Sequence, residues 1–320
     1  MVKLNDTVAD LPPLVLAKLE FLNPCGSIKD RMSHYIITHG EKNGLLKPGD
    51  TVVDNTSGNT GSGAAMICAA KGLSCLFTTS EKTSKEKVDL IKSFGAEVII
   101  TPSDVPWDDA SSCYMRAKRI GEKPGHFWMD QYHSSVNVEA HYKTTGPEIW
   151  EDTEGKITHF VCGVGTGGTI SGTSKYLKEK NPKIKTIGVD PVGSLFAAYM
   201  KDSPLPEPQP YKIEGIGTDV ITRAFIKEYV DEVVQVTDRD AFLMSRELCR
   251  REGVSTGGSS GACLWAIREY LKDLNEEDVV VTIFADGGIR YLSKIYNDEW
   301  MEENGLMSAQ DVTGEKEKSL

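Results

Sequence analysis

The sequence predicts an α/β fold built from two mostly parallel sheets that are covered by helices. Strand-like and helix-like segments alternate along almost the whole chain, which is the pattern of parallel strands joined by crossover helices. Nine strand-like segments are too many for one compact sheet, and a chain of 320 residues is long enough for two domains. The expected architecture is therefore α/β with two domains.

Strands are predicted where short apolar or β-branched runs stand between turn residues. In chain order they cover residues 14–19, 51–54, 74–79, 97–101, 126–129, 158–162, 185–190, 232–236 and 279–284. Helices are predicted where apolar residues recur at helical spacing. They cover residues 31–43, 60–71, 85–94, 108–121, 137–151, 169–180, 238–252, 261–273 and 291–301. Residues 191–214 are rich in proline, and we expect this stretch to be irregular.

Composition argues against several classes of protein. The formal net charge of −11 opposes nucleic-acid binding, which needs basic patches. No apolar run approaches the ~20 residues of a membrane span, and residues 1–10 lack the features of a signal peptide. The seven cysteines are scattered without a Cys-x-x-Cys pair, which predicts reduced thiols and no zinc site. We expect a metal-free protein of the cytoplasm with no nucleic-acid or membrane partner.

Residues 21–31, Phe-Leu-Asn-Pro-Cys-Gly-Ser-Ile-Lys-Asp-Arg, join the first predicted strand to the first predicted helix. The Asn-Pro and Gly residues favour a sharp bend and a helix start near Ser27. Lys29 would then lie in the first helical turn, where the positive end of the helix dipole disfavours a second cation. Such a lysine either extends into solvent or has a lowered amine pKa, which Schiff-base formation with a carbonyl cofactor requires. This stretch alone favours the solvent-exposed lysine.

Three loops rich in small residues lie between predicted strands and helices, where ligands of such folds bind. Residues 54–61, Asp-Asn-Thr-Ser-Gly-Asn-Thr-Gly, form either a carboxylate or phosphate site or a capped turn. Residues 163–169, Gly-Val-Gly-Thr-Gly-Gly-Thr, can wrap a phosphate or form a dinucleotide fingerprint for NAD. Residues 257–261, Gly-Gly-Ser-Ser-Gly, offer serine hydroxyls to a ring nitrogen or, as is more common, to a helix cap.

Two further segments carry polar side chains near predicted strand ends. Residues 130–132, Asp-Gln-Tyr, place an amide and a phenol where a substrate could be recognised. Lys82, Lys85 and Lys87 alternate with acidic residues, and we interpret this run as the solvated start of a helix.

Taken together, these segments resemble the pyridoxal-phosphate enzymes of the cysteine synthase and cystathionine β-synthase family. The resemblance covers nearly the whole chain, and its motifs occur in the expected order. It implies fold type II, the fold of tryptophan synthase β, with pyridoxal 5'-phosphate as cofactor. It also implies a smaller, mobile, substrate-binding domain at residues 32–140, a larger cofactor-binding domain from residues 1–31 plus 141–320, and a homodimer.

The resemblance assigns roles to individual residues and makes the NAD alternative a minor one. Lys29 is implied as the Schiff-base residue, Asn59 as the partner of the cofactor's ring hydroxyl, and Ser259 as the partner of its pyridine nitrogen. The implied phosphate cradle comprises Gly165, Thr166, Gly167, Gly168 and Thr169. The implied substrate-binding residues are Thr56, Ser57, Gly58, Asn59, Thr60 and Gln131.

The roles that the resemblance implies for Lys29 and Ser259 favour β-replacement. A serine cannot hold the pyridine nitrogen protonated by ion pairing, so the cofactor would be a restrained electron sink that favours elimination across Cα and Cβ. Lys29 would remove the α-proton, the β-substituent would leave, a thiol would add to Cβ, and Lys29 would return the proton. The implied partners are small amino-acid and thiol substrates.

The choice of substrates stays open between two branches of the family. Residues 81–89, 130–132, 217–219 and 297–301 look more like cystathionine β-synthases, which join serine to homocysteine, and we favour this branch. Residues 141–149 and 290–292 look more like cysteine synthases, which use O-acetylserine and sulfide. A serine or threonine dehydratase and a catalytically idle scaffold are further alternatives. The usual Gly-Asn-Thr-Pro-Leu opening is absent, so we expect a late start, and we expect no attached regulatory or haem-binding region.

Overall fold

A computed structural model of the chain describes residues 1–56 and 58–308. Its strands, in chain order, are β1 (Val2–Lys3), β2 (Leu14–Leu19), β3 (Thr51–Asn55), β4 (Ser74–Ser80), β5 (Glu97–Thr101), β6 (His126–Trp128), β7 (His159–Gly163), β8 (Lys185–Pro191), β9 (Glu232–Val236) and β10 (Val279–Phe284). The helices are α1 (Lys29–Lys42), α2 (Asn59–Lys71), α3 (Lys85–Ser93), α4 (Cys113–Gly121), α5 (Ser135–Lys143), α6 (Thr145–Asp152), α7 (Gly168–Lys180), α8 (Phe196–Met200), α9 (Asp238–Arg251), α10 (Gly258–Tyr270) and α11 (Asp298–Glu303).

The strands form two sheets, as predicted. The larger sheet has six strands in the order β1-β2-β10-β7-β8-β9, and the smaller has four in the order β5-β4-β3-β6. The neighbouring strands pair in parallel except for β1, which runs antiparallel to β2. Every residue of β10 is buried, because helices cover both faces of a parallel sheet. The α/β prediction is confirmed.

Three apolar clusters hold the two sheets and their helices together. Successive side chains of β10 point to opposite faces of the larger sheet. Val280 and Phe284 therefore join the cluster that packs against α9 and α10, whereas Val281 and Ile283 join the cluster that packs against α7. The third cluster, around the smaller sheet, draws its members from between Met32 and Ala140. A separate, mobile domain at residues 32–140 stays a prediction.

Helix boundaries differ from the prediction where a local hydroxyl competes for the backbone. The helix predicted at 108–121 begins at Cys113, because the Ser112 hydroxyl caps it by accepting a hydrogen bond from the Met115 amide at 3.1 Å. The helix predicted at 137–151 is two helices, α5 and α6. They separate at Thr144, whose hydroxyl donates to the Ala140 carbonyl at 2.7 Å, a bond that bends helices.

Three other differences from the prediction concern α8, the helix near residue 300 and β1. The short helix α8 lies in the stretch predicted to be irregular, and the buried Asp190 carboxylate accepts a hydrogen bond from its Ala197 amide at 3.2 Å. The helix predicted at 291–301 is a 3-10 turn at Gly288–Tyr291 followed by the shorter α11. Strand β1 was not predicted, because two residues show no periodicity.

The described residues show neither a membrane span nor a metal cluster. Within residues 1–56 and 58–308, the helices fall short of the length and apolar character that crossing a bilayer demands. The same residues bring no three His, Cys, Asp or Glu side chains together in a metal-binding arrangement. All seven cysteines are free thiols.

Candidate active site

One cleft collects most of the predicted site residues. Its empty volume is about 1090 Å³ including the open mouth, which is enough for a cofactor and a substrate together. Predicted residues on its wall are Lys29, Asn59, Thr60, Gln131, Gly165, Thr166 and Ser259. An adjoining pocket shares four of these and adds Gly167 and Thr169. Gly168, Thr56 and Gly58 line neither cavity, and Ser57 lies outside the described residues.

Lys29 lines the cleft and lies in the first turn of α1, as predicted, although α1 begins at Lys29, two residues before the predicted range 31–43. The preceding loop is fixed against the end of β10, because the Ile28 amide donates to the Ala285 carbonyl at 2.9 Å. Burial lowers the pKa of the Lys29 amine, and the nearby Cys162 and Asp286 oppose this shift only in part. The solvent-exposed alternative for Lys29 is therefore wrong. A lowered pKa favours the neutral amine, which is the form that accepts a proton.

The loop before α2 is shaped by Thr56. The buried Thr56 hydroxyl accepts hydrogen bonds from the amides of Gly58 at 3.0 Å and Gly61 at 2.9 Å. The loop places Asn59 and Thr60 at the start of α2, where unpaired helix amides favour an anion. This geometry is compatible with a carboxylate site.

Gln131 is buried and held at both ends of its side-chain amide. Its oxygen accepts a hydrogen bond from the Thr60 hydroxyl at 2.7 Å, and its nitrogen donates to the Asn55 carbonyl at 2.7 Å. Gln131 thus connects the segment after β6 to the end of β3 and the start of α2. Its predicted contact with substrate stays a prediction.

The glycine loop after β7 is closely packed against neighbouring parts of the chain. A Cβ atom at Gly165 would lie 2.4 Å from the Gly215 carbonyl oxygen, and one at Gly167 would lie 2.5 Å from Phe225 Cα. Gly167 also has a φ of +89°, which side chains disfavour. Helix α7 begins at the next residue, so its first amides are unpaired within the helix and favour an anion. The loop fits a phosphate.

Two residues that sequence reasoning missed support this loop. Nδ2 of the Asn137 side chain donates to the Thr166 hydroxyl at 3.0 Å and to the Gln131 backbone carbonyl at 2.8 Å. The Thr169 hydroxyl lies 3.1 Å from Nε2 of His141. Burial and nearby Lys29 lower the pKa of His141 to about 3, so its ring is neutral and adds no charge beside the loop.

Ser259 lies inside α10 and not in a loop before it. Helix α10 begins at Gly258, three residues before the predicted start, and no side chain caps it. The capping alternative for Ser259 is therefore wrong. The side chain is buried and lines both cavities, which leaves its hydroxyl available to a ligand.

Lys87 is the clearest correction to the sequence analysis. The charge pattern predicts that Lys82, Lys85 and Lys87 are all solvated. The side chains of Lys82 and Lys85 are 70% and 87% exposed. Lys87 is instead 7% exposed and lines the cleft, where it forms an ion pair with Glu214. Glu214 also pairs with Lys294 at 2.9 Å. Sequence spacing could not show this, because Lys87 and Glu214 are 127 residues apart.

These groups fit pyridoxal phosphate. The cleft offers a lysine amine for its aldehyde, a glycine loop at a helix start for its phosphate, and the Ser259 hydroxyl for its ring nitrogen. Among the described residues, Asn59 Oδ1 is buried and has no hydrogen-bond partner, so it can accept a hydrogen bond from a ring hydroxyl.

Comparisons with known proteins agree with this fit. The profile of the family "Pyridoxal-phosphate dependent enzyme" matches residues 1–286. The chain is 39% identical to a cystathionine beta-synthase of Dictyostelium discoideum, over 99% of this chain and 64% of that protein. It is 42% identical to a cystathionine beta-synthase of Saccharomyces cerevisiae, over 92% of this chain and 60% of that protein. It is 40% identical to a cysteine synthase of Staphylococcus aureus, over 92% of both.

The chain thus spans less than two thirds of the two cystathionine beta-synthases and most of the cysteine synthase. The family profile covers both sheets, from β1 to the residues that follow β10. The chain belongs to the family of pyridoxal-phosphate-dependent enzymes, and pyridoxal phosphate is its cofactor.

Proposed function

We propose that this chain catalyses β-replacement on a serine-type amino acid, with cystathionine β-synthase as its specific activity. In that reaction the β-hydroxyl of serine leaves and the thiol of homocysteine takes its place. The observation that carries the proposal is the Lys29 amine, whose pKa is lowered by burial in a cleft between an anion-binding glycine loop and the start of α2. The homodimer implied by the resemblance and the cytoplasmic location expected from the composition belong to the same proposal.

The cofactor, Lys29 and the start of α2 have different tasks in this proposal. Bound pyridoxal phosphate supplies the electron sink that stabilises charge at Cα. The neutral Lys29 amine accepts the proton from Cα and returns it to Cα after the thiol has added. The start of α2, with Asn59 and Thr60, holds the substrate carboxylate so that the Cα–H bond faces Lys29.

Lys87 and Glu214, which both line the cleft, favour a thiol substrate that carries charged groups. Lys87 supplies a cation and Glu214 an anion, and both line the cleft. Homocysteine carries a carboxylate and an ammonium group that can pair with them, whereas sulfide carries neither. Lys87 and Glu214 pair with each other. A zwitterionic thiol can replace that pairing with its own two charges and sulfide cannot, so this pair favours a zwitterionic thiol. We therefore favour homocysteine.

Replacing Lys87 with methionine tests the thiol site. Lys87→Met is expected to raise KM for homocysteine roughly tenfold, because one charge-assisted contact is lost, while the reaction with sulfide changes less than about twofold. Steady-state kinetics with each thiol measure both values. Lys85→Met is the matched control, since Lys85 lies in the same helix with an exposed side chain. Equal losses with both thiols would contradict the proposed contact.

Cysteine synthase is the second candidate, favoured by the mutual 92% coverage with the relative of that name. The deciding experiment offers purified protein serine and O-acetylserine, each with homocysteine and with sulfide, and identifies the products by mass spectrometry. Cystathionine from serine supports the first proposal. Cysteine from O-acetylserine and sulfide, without cystathionine, supports the second. Pyruvate from serine without any thiol would indicate a dehydratase.

The pH dependence of turnover tests the role of Lys29. Only the neutral amine accepts a proton, so kcat should fall as pH decreases through the pKa of Lys29. Burial lowers that pKa, and the acid limb should therefore lie below the ordinary lysine value of about 10.4. Assays from about pH 6 to pH 10 measure it, with a return to one common pH to detect unfolding. A rate that rises only near pH 10.4 would refute a lowered pKa.

A further inference from the structure

His141 lies between the start of α7 and the start of α6, and it is 1% exposed. Its Nε2 atom lies 3.1 Å from the hydroxyl oxygen of Thr169, and its Nδ1 atom lies 2.9 Å from the hydroxyl oxygen of Thr145. Thr169 lines the pocket that adjoins the cleft, whereas Thr145 is fully buried. One imidazole ring thus joins a buried hydroxyl to a hydroxyl at the predicted phosphate site.

Two features of the helices bring these three side chains together. Helices α5 and α7 pack closely at Gly172, where a Cβ atom would lie 2.1 Å from the Val138 carbonyl oxygen and 2.9 Å from His141 Cβ. Glycine therefore lets His141 approach the first turn of α7. Thr145 stands four residues after His141, the spacing at which side chains of successive helical turns meet.

The hydrogen bonds open to Thr145 determine which ring nitrogen of His141 carries the proton. With its pKa lowered to about 3, the ring is neutral, so one nitrogen donates and the other accepts. The Thr145 hydroxyl has a hydrogen to donate, and among the described residues its only partner is Nδ1 of His141. If Nδ1 accepts that hydrogen, Nε2 donates to Thr169. The opposite tautomer would leave a buried hydroxyl hydrogen without an acceptor, which is costly.

The direction of this hydrogen-bonded chain decides what Thr169 offers to a ligand. A hydroxyl that accepts from Nε2 keeps its own hydrogen free to donate. The oxygens of a phosphate are strong acceptors, so a donating hydroxyl suits them. A hydroxyl that donated to the ring would instead turn its lone pairs toward a negative charge. The unpaired amides at the start of α7 favour the same ligand.

We propose that His141 is a positioning residue that, together with Thr145, makes the Thr169 hydroxyl a hydrogen-bond donor to the phosphate of the cofactor. The inference rests on the proposed phosphate site in the glycine loop, and it does not depend on which amino acid and thiol react. His141 lines neither cavity, so it acts on the cofactor through Thr169.

Nitrogen NMR of the complete protein with bound cofactor tests the direction of the chain. After isotope labelling of the six histidines, protonated and unprotonated ring nitrogens resonate far apart, and couplings to the ring C–H groups distinguish Nδ1 from Nε2. The signals of His141 are those absent from His141→Gln or, if that variant does not fold, those shifted by Thr145→Val. We expect the proton on Nε2 alone. A proton on Nδ1 would overturn the proposal.

A double-mutant cycle tests whether the effect passes through Thr169. The readout is the dissociation constant of pyridoxal phosphate from the apo-protein. Thr169→Val is expected to weaken binding about tenfold, because one hydrogen bond to a charged group is lost. His141→Leu should weaken binding about fivefold by itself and less than about twofold in the Thr169→Val background. An equal loss in both backgrounds, or no loss from either single substitution, would overturn the proposal.

Thr173→Val is the matched control for Thr169→Val. Thr173 lies one turn further along α7 and outside both cavities, and its buried hydroxyl has no hydrogen-bond partner among the described residues. Its substitution should change affinity less than about twofold, and a loss equal to that of Thr169→Val would overturn the proposal.

Thermal unfolding of each apo-protein separates a lost fold from a lost contact. If His141→Leu does not fold, the tautomer of His141 in the unsubstituted protein still decides the proposal. Neither readout needs turnover, so a protein that binds the cofactor but replaces no β-substituent would refute the proposed function alone.

Discussion

Lys29→Ala is expected to abolish turnover with every pair of donor and thiol, lowering kcat by at least about 10⁴-fold. The substitution removes both the covalent attachment of the cofactor and the only proton acceptor assigned at Cα, and each of these contributes strongly to such reactions. Steady-state assays with serine or O-acetylserine and with homocysteine or sulfide measure the loss.

The covalent attachment gives a readout that is independent of turnover. Reduction with borohydride should increase the mass of the wild-type protein by one pyridoxyl phosphate, and peptide mapping should place it on Lys29. Lys29→Ala should show no such adduct, whereas Lys85→Ala should keep it, because Lys85 is 87% exposed and lies outside the cleft. An adduct on another lysine, or turnover retained by Lys29→Ala, would refute the assignment of Lys29.

Gly167→Ala should damage both the glycine loop and the fold around it. The added Cβ would lie 2.5 Å from Phe225 Cα, and alanine would have to adopt a φ of +89°. Left-handed backbone and overpacking together should lower the free energy of unfolding by about 2–5 kcal/mol. Movement of the loop should also weaken cofactor binding by at least about tenfold, because the amides no longer converge on the phosphate.

Gly95→Ala is the matched control for this substitution. Gly95 has the same φ of +89°, but no atom lies within 4 Å of the position its Cβ would take. The control should therefore show the backbone cost alone, about 1–2 kcal/mol, with unchanged cofactor affinity. Denaturant unfolding of the apo-proteins and cofactor titration measure both quantities. If the two variants behave alike, close packing of the glycine loop is not what requires Gly167.

Much of the fold was predictable because its determinants are local. Each of the nine predicted strands is present, since an apolar run between turn residues has one favourable environment, the interior of a covered parallel sheet. Helix boundaries were less predictable. The Ser112 cap and the Thr144 hydroxyl moved them by competing for single backbone groups, and periodicity does not register such competition.

The candidate site also has features that were predictable from local sequence and features that were not. The place of Lys29 in the first turn of α1 followed from the turn residues before it, and the position of the glycine loop at the start of α7 followed from the strand before it. Roles for these residues came from the resemblance to a family, and they remain proposals. The burial of Lys87 was missed, because its spacing among other charges is that of an exposed helix.

The amino-acid sequence by itself determined the α/β class, the order of the elements and the loops that carry Lys29, Asn59 and the glycines, since these follow from the local pattern of apolar and turn residues. Only the tertiary structure decided that Lys87 pairs with Glu214 and that Asn59 donates a hydrogen bond to Asp286 across 227 residues. Such contacts depend on how two sheets and their helices meet, and no local pattern encodes the partner of a charged or polar group that chain folding brings from far away.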